Sequence, residues 1–404
     1  MKRILLFISI LLCITGVHAQ TVRIDEVLQR VEAGNPELKA LAFRTEAQKQ
    51  ANKADNNLPD PTASYSHMWG EKDAHETIGE LTVSQQFDFP TLYAARSSAN
   101  RLKAVALDGE ATLRRQEILL QAKELCLDLL MLQQQHALLT ERLVQAEELG
   151  KVYRKRLETG DANILESNKV NLELLNARTE MQANRTALNK ACLTLAALMG
   201  NDDTENRGVT PNETPAIVIN DEPLPPLPSD AVTLLDELLS SNPALLSLTA
   251  ASDAARKQVA VDRQGWLPKL ELGYRRNTET KLGFSGLVAG ISFPLFSNRH
   301  KVQTSRAQLA GVTYEKQNAE AQARSELVGL YAEAQSLSAS IREYQAALGD
   351  SHNLELLRQA LDGGEINITE YFVEVSVVYQ SQQNLLELEN RYGKVMAQLY
   401  KSRL

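Results

Sequence analysis

Leu157-Glu158-Thr159-Gly160-Asp161-Ala162-Asn163-Ile164-Leu165-Glu166 returns 204 residues later as Leu361-Asp362-Gly363-Gly364-Glu365-Ile366-Asn367-Ile368-Thr369-Glu370. Each copy reads as a helix reversal, with the glycine supplying the left-handed residue that ends the first helix. Working outward, Phe89-Pro90 answers Phe293-Pro294 at the same offset, so that 70 residues separate Pro90 from Gly160 and Pro294 from Gly364. Leu58-Pro59 answers Leu267-Pro268 at an offset of 209, and Asn35-Pro36 answers Asn242-Pro243 at 207. Chance spacing does not reproduce such an order. The chain is a duplication, residues 20–200 and 231–404, and six of its thirteen prolines lie between the copies in the acidic segment 201–230. That is a linker composition.

Both copies follow one plan. An asparagine N-cap with proline at the first helical position opens a helix at Asn35-Pro36 and at Asn242-Pro243. Leu58 and Leu267 each precede a proline, which pushes them out of the helical region and into extended chain. From Pro61 to Trp69, Ala63, Tyr65, His67 and Trp69 alternate with Thr62, Ser64 and Ser66, the period of a strand. Leu81, Val83, Phe87 and Phe89 alternate with Glu80, Thr82, Ser84 and Gln86 in the same way, with Gln85 the one polar break. The second copy gives Leu270, Leu272 and Tyr274, then Leu287, Ala289, Ile291 and Phe293. Two hairpins, about 61–89 and 268–294, are predicted. The rest of each copy, from about Thr91 to Met199 and from about Ser297 to Lys401, reads as long helix broken once at the glycine motif. Ile118, Leu125, Leu132, Leu139, Ala146 and Tyr153 keep a heptad, as do Leu327, Ala334, Ile341 and Leu348. Seventy helical residues would span roughly 100 Å. Each copy therefore runs out and back, with tips near 160 and 364.

Lys2 and Arg3, the apolar run Ile4 to Ile14 and the exit Val17-His18-Ala19 read as a secretion signal over residues 1–19. Cys13 follows Leu12 where a lipidation motif wants a smaller residue, so lipidation is not expected. Past Gln20 no apolar run approaches the roughly 20 residues of a spanning helix. The net charge of −8, or −10 without Lys2 and Arg3, argues against nucleic-acid binding. Cys126 and Cys192 are expected as buried free thiols rather than a disulfide.

Four alternating strands do not close a barrel, which takes about eight, and lipid tolerates no open edge. Several chains are therefore expected to share one sheet, two giving eight strands or three giving twelve. Strands of this length with a polar alternate face suit a membrane crossing around a wet lumen.

Signal peptide, duplicated helix and hairpin, Phe-Pro at the strand exit and Leu-x-x-Gly-x-x-x-Ile at the tip together resemble the TolC-type outer-membrane efflux channels over nearly all of residues 21–404. The resemblance implies a mainly α-helical chain with a small β part: duplicated coiled-coil hairpins form a periplasmic tunnel, and four strands per chain join a trimeric twelve-stranded barrel. It implies an equatorial collar that includes 201–230, an outer-membrane location, and partners: a homotrimer, a periplasmic adaptor (membrane fusion protein), an inner-membrane pump of the resistance-nodulation-division or ABC type, and outer-membrane lipid. Leu157, Gly160, Ile164, Leu361, Gly364 and Ile368 match the tip motif that meets the adaptor, and Glu166 and Glu370 fall where such channels place gate carboxylates. Val373 stands where relatives carry a further acid, with Glu374 one residue on. The Leu58-Pro59-Asp60-Pro61 strand opening resembles the heavy-metal-efflux branch; multidrug members differ little.

No Gly-x-Ser-x-Gly, His-Glu-x-x-His or phosphate-binding glycine loop occurs, so neither enzyme nor cofactor is expected. His67, Met68, Glu71, Asp73, His75 and Glu76 cluster where a loop composition explains them more simply than a metal site does. The alternatives are a type I secretion exit duct and a periplasmic coiled-coil adaptor. The latter would have to hide four amphipathic strands.

Overall fold

The computed structural model describes residues 20–69, 77–200, 217–220, 223–278, 283–349 and 353–404. The signal segment, Glu71 to Glu76 of the histidine, methionine and acid cluster, and 201–216 lie outside the described residues. In chain order the elements are β1 (Gln20–Val22), α1 (Ile24–Gly34), α2 (Pro36–Ala54), β2 (Thr62–Trp69), β3 (Thr77–Phe87), α3 (Pro90–Thr159), α4 (Ile164–Leu198), β4 (Ile217–Ile219), α5 (Ala231–Ser240), α6 (Pro243–Gln264), β5 (Lys269–Thr278), β6 (Gly283–Ser292), α7 (Lys301–Gly349), α8 (Asn353–Asp362) and α9 (Ile368–Leu399). Helices and hairpins recur in both repeats, but before its glycine motif the second repeat has two helices, α7 and α8, with 350–352 between them outside the described residues. α7 starts later than Ser297, at Lys301, because 295–300 form turns in which Asn298 Nδ2 donates to the Gly265 carbonyl.

Backbone contacts divide the chain into two compact units. One holds Pro36–Ile118, Pro228–Ala332 and Leu399–Leu404. Its sheet is antiparallel in the order β2-β3-β5-β6. The register aligns Ala63 with Val83, Val83 with Tyr274 and Tyr274 with Leu287. Each strand's apolar residues thus form one continuous face, as the period of two demands. That face is uncovered: Leu287 is 91% exposed, and Tyr65, Trp69, Leu272 and Ile291 are exposed with it. The opposite face is polar, with Arg275 Nε 3.2 Å from Glu80 Oε1. His67 lies on the apolar face between Tyr65 and Trp69, with ring centroids 6.4 and 4.9 Å away. Among the described residues no group of His, Cys, Asp and Glu has a metal-holding arrangement.

In the same unit Asn242 caps α6 as expected, accepting from the Ala244 amide at 2.9 Å, with Pro243 at the first helical position. α6 packs on α3: Ser247 Oγ donates to the Ala106 carbonyl at 2.9 Å, and Lys103 Nζ donates to Gln258 Oε1 at 3.1 Å. α2 lies beside α3 through the Lys49–Asp108 pair and the Arg114–Glu37 pair, the latter at 2.6 Å.

The other unit holds the chain up to Asn35, Leu119–Leu227 and Glu333–Gln398. In it β1 pairs in parallel with β4, so the segment between the repeats contributes a strand as well as a connection. Gln133 fastens that strand, its Nε2 donating to the Ile217 carbonyl and its Oε1 accepting from the Ile219 amide, both at 3.3 Å. Asn35 Nδ2 donates to the Leu198 carbonyl at 2.8 Å, holding the end of α4. Cys126 and Cys192 are buried free thiols, and burial pushes the Cys126 thiol up to about 12. No helix among the described residues is long and apolar enough to cross a membrane.

Candidate functional site: the paired helical tips

Both ten-residue motifs fold into the same pair of caps. Gly160 has φ +85° and Gly364 has φ +74°, left-handed conformations that L side chains resist. Beyond each glycine the chain turns back: the Asp161 amide donates to the Arg156 carbonyl at 2.8 Å and the Glu365 amide to the Ala360 carbonyl at 2.9 Å. These six-to-one bonds satisfy carbonyls that the helix end would otherwise orphan. Leu157 and Leu361, three residues before the glycines, are both half-buried.

The next helix then starts on a capping box. Asn163 Oδ1 accepts from the Glu166 amide at 3.0 Å, and Glu166 Oε2 accepts from the Asn163 amide at 2.8 Å. Asn367 Oδ1 accepts from the Glu370 amide at 3.0 Å, and Glu370 Oε2 from the Asn367 amide at 2.9 Å. Each carboxylate also sits in a first helical turn, where the macrodipole favours negative charge. Both acids therefore have a structural task in the isolated chain. Glu370 is exposed and Glu166 half-buried, and Val373 and Glu374 are both exposed on α9.

The tips share their backbone chemistry but not their surroundings. Ile368 is 2% exposed within a cluster that includes Leu149, Tyr153, Val170, Tyr371, Val375 and Tyr379, with Leu361 and Ala162 against it. Its counterpart Ile164 is 57% exposed and the adjacent Leu165 72%. Lys169 Nζ donates to Thr369 Oγ1 at 2.7 Å, which joins the starts of α4 and α9. The six tip residues are thus neighbours along two adjoining reversals, but Ile164 stands outside the core that takes Ile368.

Arg142 supports this unit further along α3. Its Nε donates to Glu173 Oε1 at 2.8 Å and its Nη1 to Glu180 Oε2 at 2.7 Å, both on α4. The guanidinium carbon also lies 5.5 Å from the ring centroid of Tyr379 on α9. Burial pushes the Tyr379 phenol up, and its hydroxyl donates to Gln145 Oε1 at 3.1 Å. Sequence reading missed Arg142, whose partners lie 31 and 38 residues away. It also missed the two capping boxes, although Asn-x-x-Glu stands in both motifs.

Residues 234–402 match the family described as outer membrane efflux protein. No curated protein matches the chain by sequence. Among solved structures, the chain superposes on CusC with a TM-score of 0.75 at 17% identity, covering 94% of this chain and 91% of that one. VceC of Vibrio cholerae gives 0.75 at 16%, covering 94% and 95%. CmeC of Campylobacter jejuni, an outer-membrane channel, gives 0.76 at 15%, covering 94% and 85%.

The second repeat thus matches that family, and the chain as a whole shares the fold of these solved structures.

Proposed function

We propose that the protein is the passive exit duct of a tripartite efflux system, a trimer in the outer membrane that conducts metal cations or drugs from an inner-membrane pump of the resistance-nodulation-division or ABC type. Both reversals are its adaptor-docking tips. The observation that supports the docking role is the exposed pair Ile164 and Leu165, set on a doubly capped reversal. An apolar pair held rigidly at the end of a hairpin suits a helical partner. Leu157, Gly160, Leu361, Gly364 and Ile368 fix the shape of the two reversals around it.

Glu166 and Glu370 are proposed as rings of carboxylate near the periplasmic constriction. Repeated in three subunits, they would repel one another and draw cations inward. Their capping bonds do not conflict with this role, since each box uses Oε2 and leaves Oε1 free to face an ion. Glu166→Gln with Glu370→Gln keeps an acceptor for each box. The double variant is expected to leave stability unchanged and to weaken cation selectivity in planar bilayers.

The function is tested by metal and dye retention in cells lacking the protein, complemented by the wild type or by Gly160→Leu/Gly364→Leu. Metal retention that the wild type relieves and the variant does not is the expected result. Retention of dyes alone would assign the multidrug branch. Retention of neither would overturn the efflux substrate and favour protein secretion through the same duct.

A further inference from the structure

One unit of the chain, Pro36–Ile118 with Pro228–Ala332, contains a junction between the two repeats. At that junction β3 pairs with β5, Val83 opposite Tyr274. Beside it α6 lies on α3 so closely that a Cβ on Gly109 would come within 2.7 Å of the Ser247 Cβ. A duplicated chain has a second such junction to make, between the end of repeat two and the start of repeat one. Among the described residues its elements each keep an open side: β2 and β6 are the edges of the sheet. α2 has no buried residue, whereas its repeat counterpart α6 buries Ser247, Ala250, Ala254, Val259 and Val261 among others. Phe43 on α2 corresponds to Ala250 by the offset of 207, yet it is 77% exposed where Ala250 is buried.

We propose that a second copy of this chain completes the second junction in the register of the first, β6 pairing antiparallel with the next copy's β2, Leu287 opposite Tyr65. The offset of 204 carries Val83 to Leu287, and the offset of 209 carries Tyr274 back to Tyr65. Leu287 and Tyr65 both stand on the apolar face, so the pairing extends that face without a break. Ser64 then lies opposite Val288, and Ala63 opposite Ala289. The same offsets carry the α3–α6 contact to α7 and α2: Ala106 and Gly109 become Ala310 and Thr313, and Ser247 becomes Ala40. Phe43 is then covered by the α7 surface around Ala307, Ala310 and Gly311, where a Cβ on Gly311 would meet nothing within 4 Å. The contact is head to tail, and a sheet that leaves no edge open to lipid requires its copies to close into a ring. This inference rests on the shared-barrel reading and adds to it the register.

A slip of two residues keeps both faces intact, and the two hairpins themselves differ by that amount: the repeat offsets carry the Ala63–Val83 pair to Leu272–Leu287, whereas Leu272 pairs with Ala289. Slips of two are therefore the competing registers. The test is oxidative cross-linking in isolated outer membranes of Ser64→Cys/Val288→Cys, against Ser64→Cys/Gly286→Cys and Ser64→Cys/Gly290→Cys. Within one chain β2 and β6 are three strand spacings apart, roughly 14 Å, so no disulfide joins them internally. Cys126 and Cys192 are buried in both sets of variants and their single-cysteine controls.

Covalent oligomers at least tenfold more abundant for the Val288 pair are expected. More product from the Gly286 or Gly290 pair would overturn the register and leave the shared barrel standing. No product from any pair in a protein that still runs as an oligomer would overturn the β6–β2 junction. No product from a monomer would overturn the barrel itself. Should the strand variants fail to assemble, Ala40→Cys/Thr313→Cys tests the helical half, with reducible intermolecular products expected and their absence overturning the α7–α2 contact.

Discussion

The reversal at Gly160 and the reversal at Gly364 carry one motif, one pair of caps and one left-handed glycine, yet they end in opposite environments. Ile368 is shut into a cluster with Tyr153 and Tyr371, while Ile164 stands in solvent beside Leu165. Local chemistry set by sequence is therefore identical at the two tips, and what differs is long-range. The hydrogen bonds shape the turn; the packing decides which isoleucine is core and which is exposed surface.

The largest expected contrast is in stability. Ile368→Ala opens a cavity in that cluster and should cost about 2–5 kcal/mol in denaturant unfolding, whereas Ile164→Ala should cost less than about 0.5 kcal/mol. Equal losses would mean that the first tip is also buried. Gly160→Ala and Gly364→Ala should cost about 1–2 kcal/mol each, because a Cβ at either position meets nothing within 4 Å and only the backbone objects. A clear difference between the two glycines would show that one reversal is held by more than its own bonds.

Asn163→Ala and Asn367→Ala should each lose about 1 kcal/mol by removing a capping acceptor. Circular dichroism during denaturation would reveal whether either box matters less. At neutral pH the smallest effect is that of the Cys126 thiol, which is felt only above pH 9. Burial raises its pKa from 9.0 to about 12, so the folded state keeps a proton that the unfolded chain releases. The stability tied to that proton is complete below pH 9 and is lost as pH rises from there toward about 12, at up to about 1.4 kcal/mol per pH unit. Cys126→Ala should flatten that alkaline slope by about one proton. An unchanged slope would assign it to Tyr153, Tyr371 and Tyr379, whose phenols burial also raises.

Much of this was legible in the sequence, for physical reasons that differ by element. The strands showed because one face is apolar and the other polar, which imposes a period of two on Leu81, Val83, Leu270 and Leu272. The tips showed because only glycine sits easily at φ near +80°, and duplication printed that constraint twice. Buried thiols followed from spacing and apolar surroundings. The pairing of β3 with β5 was not legible, since nothing local joins Val83 to Tyr274. β1 and β4 were missed because three-residue strands leave no periodicity, and proline content made their neighbourhood read as a connection alone. Arg142 was hidden among many surface charges. Only the fold reveals that its partners are Glu173, Glu180 and the ring of Tyr379.

The central proposal is an efflux duct that meets its adaptor at the paired tips, with Ile164 facing the partner and Ile368 held in the chain's own core. Site-specific photocross-linking in living cells tests it most directly, with the probe placed at Ile164 or at Ile368. The account predicts that the probe at Ile164 captures the periplasmic adaptor and that the probe at Ile368 captures only residues of this chain. Adaptor captured from Ile368 but not from Ile164 would contradict it.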